Sequence, residues 1–192
     1  MTKKQIITIA GRPGSGKSTA AKATAAHLGF RHFSSGDLFR LLAQEQGIDV
    51  LQANLSAEQN AEIDYLVDQR LRDIGSTDNE LVIDSRLAWH WMPYSFKVFL
   101  DLDLTIAAER ILGNMERSRL VSEHIARDPQ EYAQGLETRL ASETRRYKSL
   151  YNVDPYNMHN YDLVVDTAAT RPEAVVRQIV ESFQVWIKEQ NS

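Results

Sequence analysis

Cysteine is absent from this chain of 192 residues. Its absence excludes a disulfide framework and a thiolate nucleophile, and with them a small secreted scaffold that depends on cross-links. An excess of positive charge is absent as well, because 22 Lys and Arg stand against 26 Asp and Glu, a net charge of −4. This balance argues against broad electrostatic binding to nucleic acid, so any anion site must be local.

Long apolar runs are also absent. The apolar run that follows residues 1–4 has only six residues, which is too short for a signal-peptide core or a membrane span. Hydrophobic residues at 43% and charged residues at 25% are typical of a globular domain. We therefore expect one folded domain that is a cytoplasmic monomer, with neither membrane nor nucleic acid partners.

What the chain does contain is an alternation of short apolar runs with helical patterns. The alternation predicts a parallel α/β sheet covered on both faces. A brief apolar segment at 30–33 precedes the second helix, which Ser35 or Asp37 should cap. Strands are predicted over residues 5–10, 80–83, 96–102 and 161–165, and helices over 18–28, 38–46, 56–74, 105–115 and 172–188.

Two other segments are described by composition. Residues 116–150 are rich in Arg, Glu and Ser, with few large apolar side chains, which predicts helices that project from the core and are not part of it. Residues 152–160 are polar with one proline and are predicted to form a loop, to which we assign no chemistry.

The first strand and the first helix are joined by a glycine-rich motif. Successive backbone N–H groups of such a loop turn inward around phosphate oxygens, and the positive end of the helix adds to anion binding. The lysine reaches the β and γ phosphates and the following serine binds Mg²⁺, so the motif predicts an ATP site. The motif runs Gly11-Arg12-Pro13-Gly14-Ser15-Gly16-Lys17-Ser18.

Carboxylates follow other predicted strands directly. Gly11, Asp84, Asp101 and Asp166 should gather along one edge, where ligands bind in parallel sheets. Asp84 is therefore a candidate ligand, with Ser18, for the Mg²⁺ that accompanies ATP as co-substrate. The alternative for Asp84 is a cap at the end of its strand.

Arginines outside the loop are the remaining candidates for chemistry. Phosphoryl transfer requires positive charge around the equatorial oxygens, which arginines near the strand ends and in a mobile segment would supply. For any single arginine the alternative is a solvated surface role. The candidates are Arg40, Arg86, Arg139 and Arg146.

Six motifs, spread across nearly the whole chain, resemble in order and spacing those of the cytidylate kinases of the compact archaeal type. They are GRPGSGKST, SSGDLFR, LVIDSRLAW, AAERI, RLASETRRY and YDLVVDT. The resemblance implies a P-loop NTPase fold of three α/β/α layers around a parallel five-stranded sheet. It implies a core formed by 1–37, 77–112 and 151–192, a helical insert at about 38–76 that binds the monophosphate, and a helical lid at about 113–150. The activity implied is transfer of the γ-phosphate of MgATP to CMP or dCMP.

The resemblance also implies an acceptor site. By position, Arg40 and Arg86 would hold the acceptor phosphate through their guanidinium forks, and Asp37 would orient the nucleoside. Ser35 and Glu143 complete the implied acceptor-binding set.

On the ATP side the resemblance adds residues to the glycine loop. Thr19 belongs to the ATP-binding motif, and Arg110 would stack on the adenine. Lys17, Arg139 and Arg146 would be the catalytic cations, the two arginines being separated by the spacing that cytidylate kinases have in their lid.

The chain departs from the family pattern after the predicted strand at 80–83. Asp84-Ser85-Arg86 stands where related chains carry glycine after the strand, and Trp89-His90-Trp91 follows. The two tryptophans either stack on a nucleobase or pack in the core. The preferred acceptor, whether CMP, dCMP or UMP, is left open by the sequence.

Two other functions remain as alternatives. One is a P-loop kinase for another monophosphate or for a metabolite hydroxyl, for which Asp37 could serve as the base. The other is a nucleotide-binding switch with slow ATP hydrolysis.

Overall fold

A computed structural model describes residues 4–45, 47, 61–115 and 128–190. Five parallel strands form one sheet in the order β2-β3-β1-β4-β5. The strands are β1 (Ile6–Gly11), β2 (Arg31–Ser34), β3 (Leu81–Asp84), β4 (Phe96–Asp101) and β5 (Leu163–Asp166), and the helices are α1 (Lys17–Leu28), α2 (Ser35–Glu45), α3 (Ala61–Thr77), α4 (Ala88–Trp91), α5 (Leu104–Gly113), α6 (Pro129–Tyr151) and α7 (Pro172–Gln190).

Alternate residues of the central strand β1 face opposite helical layers. Ile7 and Ile9 are fully buried in a cluster with residues of α1 and α7. Ile6 is fully buried in a second cluster with residues of α2, α3 and α4. A strand that is buried on both faces reads as a continuous apolar run, which is why this one is recognisable in the sequence. The predicted three-layer α/β/α fold with five parallel strands is confirmed.

The register of the strands aligns their carboxyl ends. Ile9 pairs with Asp84, and Asp101 pairs with Asp166. Gly11 lies opposite Leu100, the residue before Asp101. The prediction that the residues following the strands gather along one edge is confirmed.

The start of α2 differs from the prediction. The helix begins at Ser35, three residues before the predicted start, because β2 runs into it without a loop. The hydroxyl of Ser34 accepts a hydrogen bond from the Asp37 amide at 3.2 Å and so acts as the cap. The prediction that Ser35 or Asp37 caps this helix is therefore wrong.

The next predicted helix, at 56–74, corresponds to α3. Residues 56–60 of that prediction lie outside the described residues.

The charged segment after α5 is partly a core element. Residues 116–127 lie outside the described residues, and the rest forms the single helix α6. Leu136 and Leu140 of α6 are buried, and Leu136 packs in a cluster with Leu102 and α5. The prediction that this segment stands apart from the core is wrong for α6, because an apolar stripe at helical spacing is embedded among its charges.

Candidate active site

The glycine loop lies between β1 and α1, and contacts of Arg12 hold it in place. Arg12 donates from its backbone N–H to the Leu100 carbonyl at 3.1 Å, and from Nε to Asp101 Oδ1 at 2.6 Å. The loop is thereby tied to the end of β4.

The amino end of α1 is available to an anion. Gly16 caps the helix in the left-handed conformation, with φ of 81°, and provides no side-chain cap. None of the residues in the first turn is acidic. Because the first N–H groups of a helix lack intrahelical partners and carry partial positive charge, they form a binding place for phosphate oxygens.

Lys17 points back over the same loop. Its ammonium donates to the Arg12 carbonyl at 3.2 Å. Burial first, and then the positive charge of Arg86, lower the pKa of Lys17 to about 8, although Asp84 and Glu143 act to raise it. The ammonium is therefore short of negative charge, and a phosphate would supply it.

Ser18 and Asp84 meet beside the loop. The Ser18 hydroxyl donates to Asp84 Oδ2 at 2.5 Å, because β1 and β3 are neighbours in the sheet. Mg²⁺ takes hard oxygen ligands, commonly one or two protein carboxylates together with phosphates and water. The pair fits that ion, since a hydroxyl and a carboxylate oxygen converge on one point where the phosphates would lie.

Glu143 joins helix α6 to the end of β3. This carboxylate is buried, with Oε2 3.2 Å from Nε of Arg86 and Oε1 3.3 Å from Nε of Arg139. The Arg86 N–H does not point at the oxygen, so that contact is ionic and not a linear hydrogen bond. The sequence therefore identified three residues that α6 and the β3 end bring together.

The charges of this group stabilise one another. Burial opposes the charge of Glu143, but Arg86, Arg139 and a hydrogen bond from Tyr156 lower its pKa below the usual range. Burial likewise opposes the charge of Arg86, but Glu143, Tyr147 and Tyr156 raise its pKa further. Both side chains stay ionised.

Arg146 lies farther along the same helix. Its Nη2 donates to the Tyr147 hydroxyl at 3.3 Å, and its guanidinium stands 5.0 Å from the centre of that ring. Tyr147 itself is buried and is among the groups that act on Arg86. Arg146 is thus held close to the group built around Glu143.

The predicted acceptor residues on α2 form a separate pair. Arg40 donates to Asp37 on the exposed side of the helix. Ser35 donates to the Asp84 carbonyl at 3.3 Å, which places it beside the Ser18–Asp84 pair. Among the described residues, no ion pair links Arg40 to the Arg86–Glu143 group.

Arg110 lies on the other side of the glycine loop. It donates from Nη2 to the Thr167 carbonyl at 2.8 Å. With Gly14, Ile111, Asn114 and Met115 it lines an open cavity of about 340 Å³. The cavity has room beside the loop for a base, which is consistent with stacking by Arg110, and that role stays a prediction.

The aromatic segment after β3 is structural. Trp89 is buried, donates from Nε1 to the Arg86 carbonyl at 2.9 Å, and meets Tyr161 edge to face. Trp91 donates from Nε1 to Asp68 of α3 at 3.1 Å. Of the two alternatives for these tryptophans, packing is the one that the contacts support.

Two residues of the site were missed by the sequence reasoning. Asp101 was expected at the edge of the sheet, but not as the partner of Arg12. Tyr156 donates to Glu143 Oε2 at 2.7 Å from the loop to which no chemistry was assigned. No periodicity or motif in that polar loop could have identified it.

Comparison with known proteins agrees with this geometry. The family model described as cytidylate kinase-like matches residues 6–169. The chain belongs to the cytidylate kinase-like family. The chain is 38% identical over 180 residues to a cytidylate kinase of Natronomonas pharaonis, covering 92% of this chain and 88% of that protein. It is 39% identical over 186 residues to a cytidylate kinase of Haloarcula marismortui, covering 94% and 90%.

Solved structures support the fold of this cytidylate kinase-like chain. A shikimate kinase from Aquifex aeolicus aligns with a TM-score of 0.58 and 20% identity, covering 94% of this chain and 97% of that one. At that identity the likeness concerns the fold alone. Within the described ranges, none of the helices has the length and apolar character needed to cross a membrane.

Proposed function

We propose that this chain is an ATP-dependent cytidylate kinase, which transfers the γ-phosphate of MgATP to CMP or dCMP and releases ADP and CDP or dCDP. The observation that carries the proposal is the group in which Arg86 and Arg139 share Glu143, close enough to Lys17 for their charges to act on its pKa. Cations from the glycine loop, the β3 end and the lid helix converge there. Two phosphate groups, one on each substrate, suit such a site.

The chemical step needs little covalent help. A phosphate oxygen of the acceptor attacks Pγ, the new P–O bond forms, and the bond from Pγ to the β,γ-bridging oxygen breaks, leaving its electrons on ADP. The acceptor phosphate is already an anion, so no general base is required. Lys17, Arg139 and Arg146 would stabilise the charge on the group in transfer.

The ATP side of the site would be the glycine loop and its surroundings. The glycine loop of residues 11–18 and the start of α1, with Thr19, would hold the phosphates, chiefly through their free backbone N–H groups. Arg110 would cover the adenine in the cavity that it lines. Mg²⁺, held by Ser18 and Asp84, would neutralise charge on the β and γ phosphates.

The acceptor side is proposed from position and family. Arg86 and Arg40 would hold the acceptor phosphate, and Asp37 and Ser35 would lie near the nucleoside. Glu143 would act at this site by orienting the arginines, because a carboxylate in direct contact with a phosphate would repel it. An insert at about 38–76 and a lid at about 113–150 would close over the substrates and exclude water. The choice of cytosine rests on the family.

The proposal extends to the partners and the location of the enzyme. The substrates are the small molecules ATP and CMP or dCMP. We expect the enzyme to work in the cytoplasm as a monomer, without nucleic acid or membrane partners. The net charge of −4 supports the exclusion of nucleic acid.

The experiment that tests the function is a coupled assay of ADP release with CMP, dCMP, UMP, AMP and GMP as separate acceptors. Shikimate and gluconate are included as hydroxyl acceptors. We expect the highest kcat/KM with CMP or dCMP. A higher value with a hydroxyl acceptor would overturn the proposal, and a slow rate that no acceptor changes would favour a nucleotide switch.

The role of the lid is tested with a matched pair of variants. Arg139→Ala should reduce kcat by about 10³-fold, as for other arginines that stabilise phosphoryl transfer. Arg145→Ala, an exposed position on the same helix, is the control and should leave kcat unchanged. Unchanged turnover of Arg139→Ala would contradict the role given to this arginine.

The Mg²⁺ site is tested with Asp84→Asn. The amide keeps the size of the side chain but removes its charge, so the Mg²⁺ concentration for half-maximal activity should rise by about 10-fold to 100-fold. Asp166→Asn, at the end of β5, is the matched control. Titration of activity with MgCl₂ at fixed ATP measures both, and equal curves for the two variants would exclude Asp84 as the ligand.

A further inference from the structure

The loop that connects the lid helix α6 to β5 is built rigidly. Asn152 ends α6 in the left-handed conformation, and the Asp154 side chain accepts a hydrogen bond from the Tyr156 amide at 2.9 Å. The Asn160 amide donates to the Asp154 carbonyl at 2.9 Å, and the Tyr161 hydroxyl donates to the Pro155 carbonyl at 2.6 Å. These bonds hold Tyr156 in one place.

The ring of Tyr156 is anchored in the core beneath the site. It packs against the cluster formed by Ala10, Trp89 and Phe99, and it meets Phe99 edge to face with ring centres 6.3 Å apart. Ala10 is the residue before the glycine loop, and Phe99 lies on β4. The position of Tyr156 is therefore set by the same sheet edge that sets the glycine loop.

The hydroxyl of Tyr156 leaves this core and reaches Glu143. It donates to Oε2 at 2.7 Å, the same oxygen that faces Nε of Arg86. Burial and the neighbouring carboxylate raise the pKa of Tyr156 well above its usual range, so the hydroxyl keeps its proton and remains a donor. A buried carboxylate is stable only when its oxygens have such partners.

Glu143 contacts both arginines on the Nε side of the guanidinium. A contact at Nε leaves the terminal Nη donors of each guanidinium to meet a phosphate, which their fork suits. The direction of both forks therefore depends on where the Glu143 carboxylate is held.

We propose that Tyr156 is a positioning residue for phosphoryl transfer: its hydroxyl fixes Glu143, and through Glu143 it aims the forks of Arg86 and Arg139 at the substrate phosphates. The hydroxyl also keeps Oε2 hydrogen-bonded when Arg86 moves toward a phosphate, so binding does not leave a buried carboxylate without a partner. This inference rests on the proposed kinase function.

Tyr156→Phe tests the proposal, because it keeps the ring in the core and removes only the donor. Because the lost hydrogen bond is made to a charged group, kcat/KM for CMP should fall by about 10-fold to 100-fold. The loss should appear in kcat and in the KM for CMP, while the KM for ATP changes little, because the glycine loop is braced by Arg12 and Asp101.

Tyr161→Phe is the matched control. It removes a hydroxyl from the same loop and the same cluster, but that hydroxyl donates to the Pro155 carbonyl and not to Glu143. A purely structural effect would lower the melting temperature of both variants and change their kinetics alike. The proposal requires a kinetic loss in Tyr156→Phe that Tyr161→Phe lacks.

A double-mutant cycle separates this route from others. If Tyr156 acts through Glu143, the loss caused by Tyr156→Phe should largely disappear in a Glu143→Gln background, so the two effects are not additive. Additive losses, or equal kinetics of the two tyrosine variants, would overturn the inference. The proposed function would still stand in that case, provided that the wild-type enzyme is active on CMP. A wild-type protein inactive with every monophosphate would instead refute the function.

Discussion

Raising the pH should weaken ATP binding through the loss of one proton from Lys17. Burial of the ammonium, together with Arg86, lowers the pKa of Lys17 to about 8 in the nucleotide-free protein. Phosphates bound beside it would add negative charge and raise that pKa again. Because the free protein holds the proton less tightly than the complex, binding takes up a proton and is favoured at low pH.

The size of the effect follows from the fraction of Lys17 that is charged. That fraction is about 0.9 one pH unit below the pKa and about 0.1 one unit above it. If only the charged form binds the triphosphate, the Kd for MgATP should rise about tenfold between pH of about 7 and about 9, which corresponds to about 1.4 kcal/mol.

Isothermal titration calorimetry with MgATP at a series of pH values measures this directly. Two buffers of different ionisation enthalpy reveal the proton that is taken up on binding. Lys17→Arg is the control, because a guanidinium stays charged throughout the range and should give weaker but pH-independent binding. A constant Kd for the wild type, or the same tenfold rise in Lys17→Arg, would refute the reasoning.

The remaining predictions concern stability. Gly11→Ala should lower the free energy of unfolding by about 3 kcal/mol, since a Cβ would lie 2.4 Å from the Leu100 carbonyl oxygen. Gly113→Ala, where a Cβ meets nothing within 4 Å, should not destabilise. Leu136→Ala should cost about 3 kcal/mol because the side chain is 5% exposed, whereas Leu150→Ala, at 49% exposure, should be nearly neutral. Urea denaturation measures all four variants, and equal midpoints within either pair would contradict the packing described here.

The glycine loop and the sheet edge were predictable because their signals are local. The loop motif requires only a strand before it and a helix after it, and both are visible in residues 5–28. The carboxyl ends of parallel strands always meet at one edge, so Asp84 could be placed beside Ser18 without knowing any contact. The strand order that makes β1 and β3 neighbours gives this pair its 2.5 Å contact.

Other features depend on contacts between distant residues. Tyr156 acquires its role from Phe99 on β4 and Glu143 on α6, and neither partner has a fixed spacing from it that a motif could express. The burial of α6 could have been predicted, because its apolar stripe of Leu136, Leu140 and Tyr147 is visible in the sequence. The charged average composition of the segment concealed this periodic pattern.

The balance of charge in the site favours a phosphate over a hydroxyl as the acceptor. The cations Arg86 and Arg139 lower the pKa of Lys17, while the carboxylates Asp84 and Glu143 raise it. The triphosphate of ATP and its Mg²⁺ would be balanced mainly by the loop. The charge of Arg86, which is partly buried and is proposed to face the acceptor, would not be balanced by them. An alcohol would give that guanidinium no counter-charge beyond Glu143, which Arg139 already shares. A monophosphate would supply it, and would need no base to become a nucleophile.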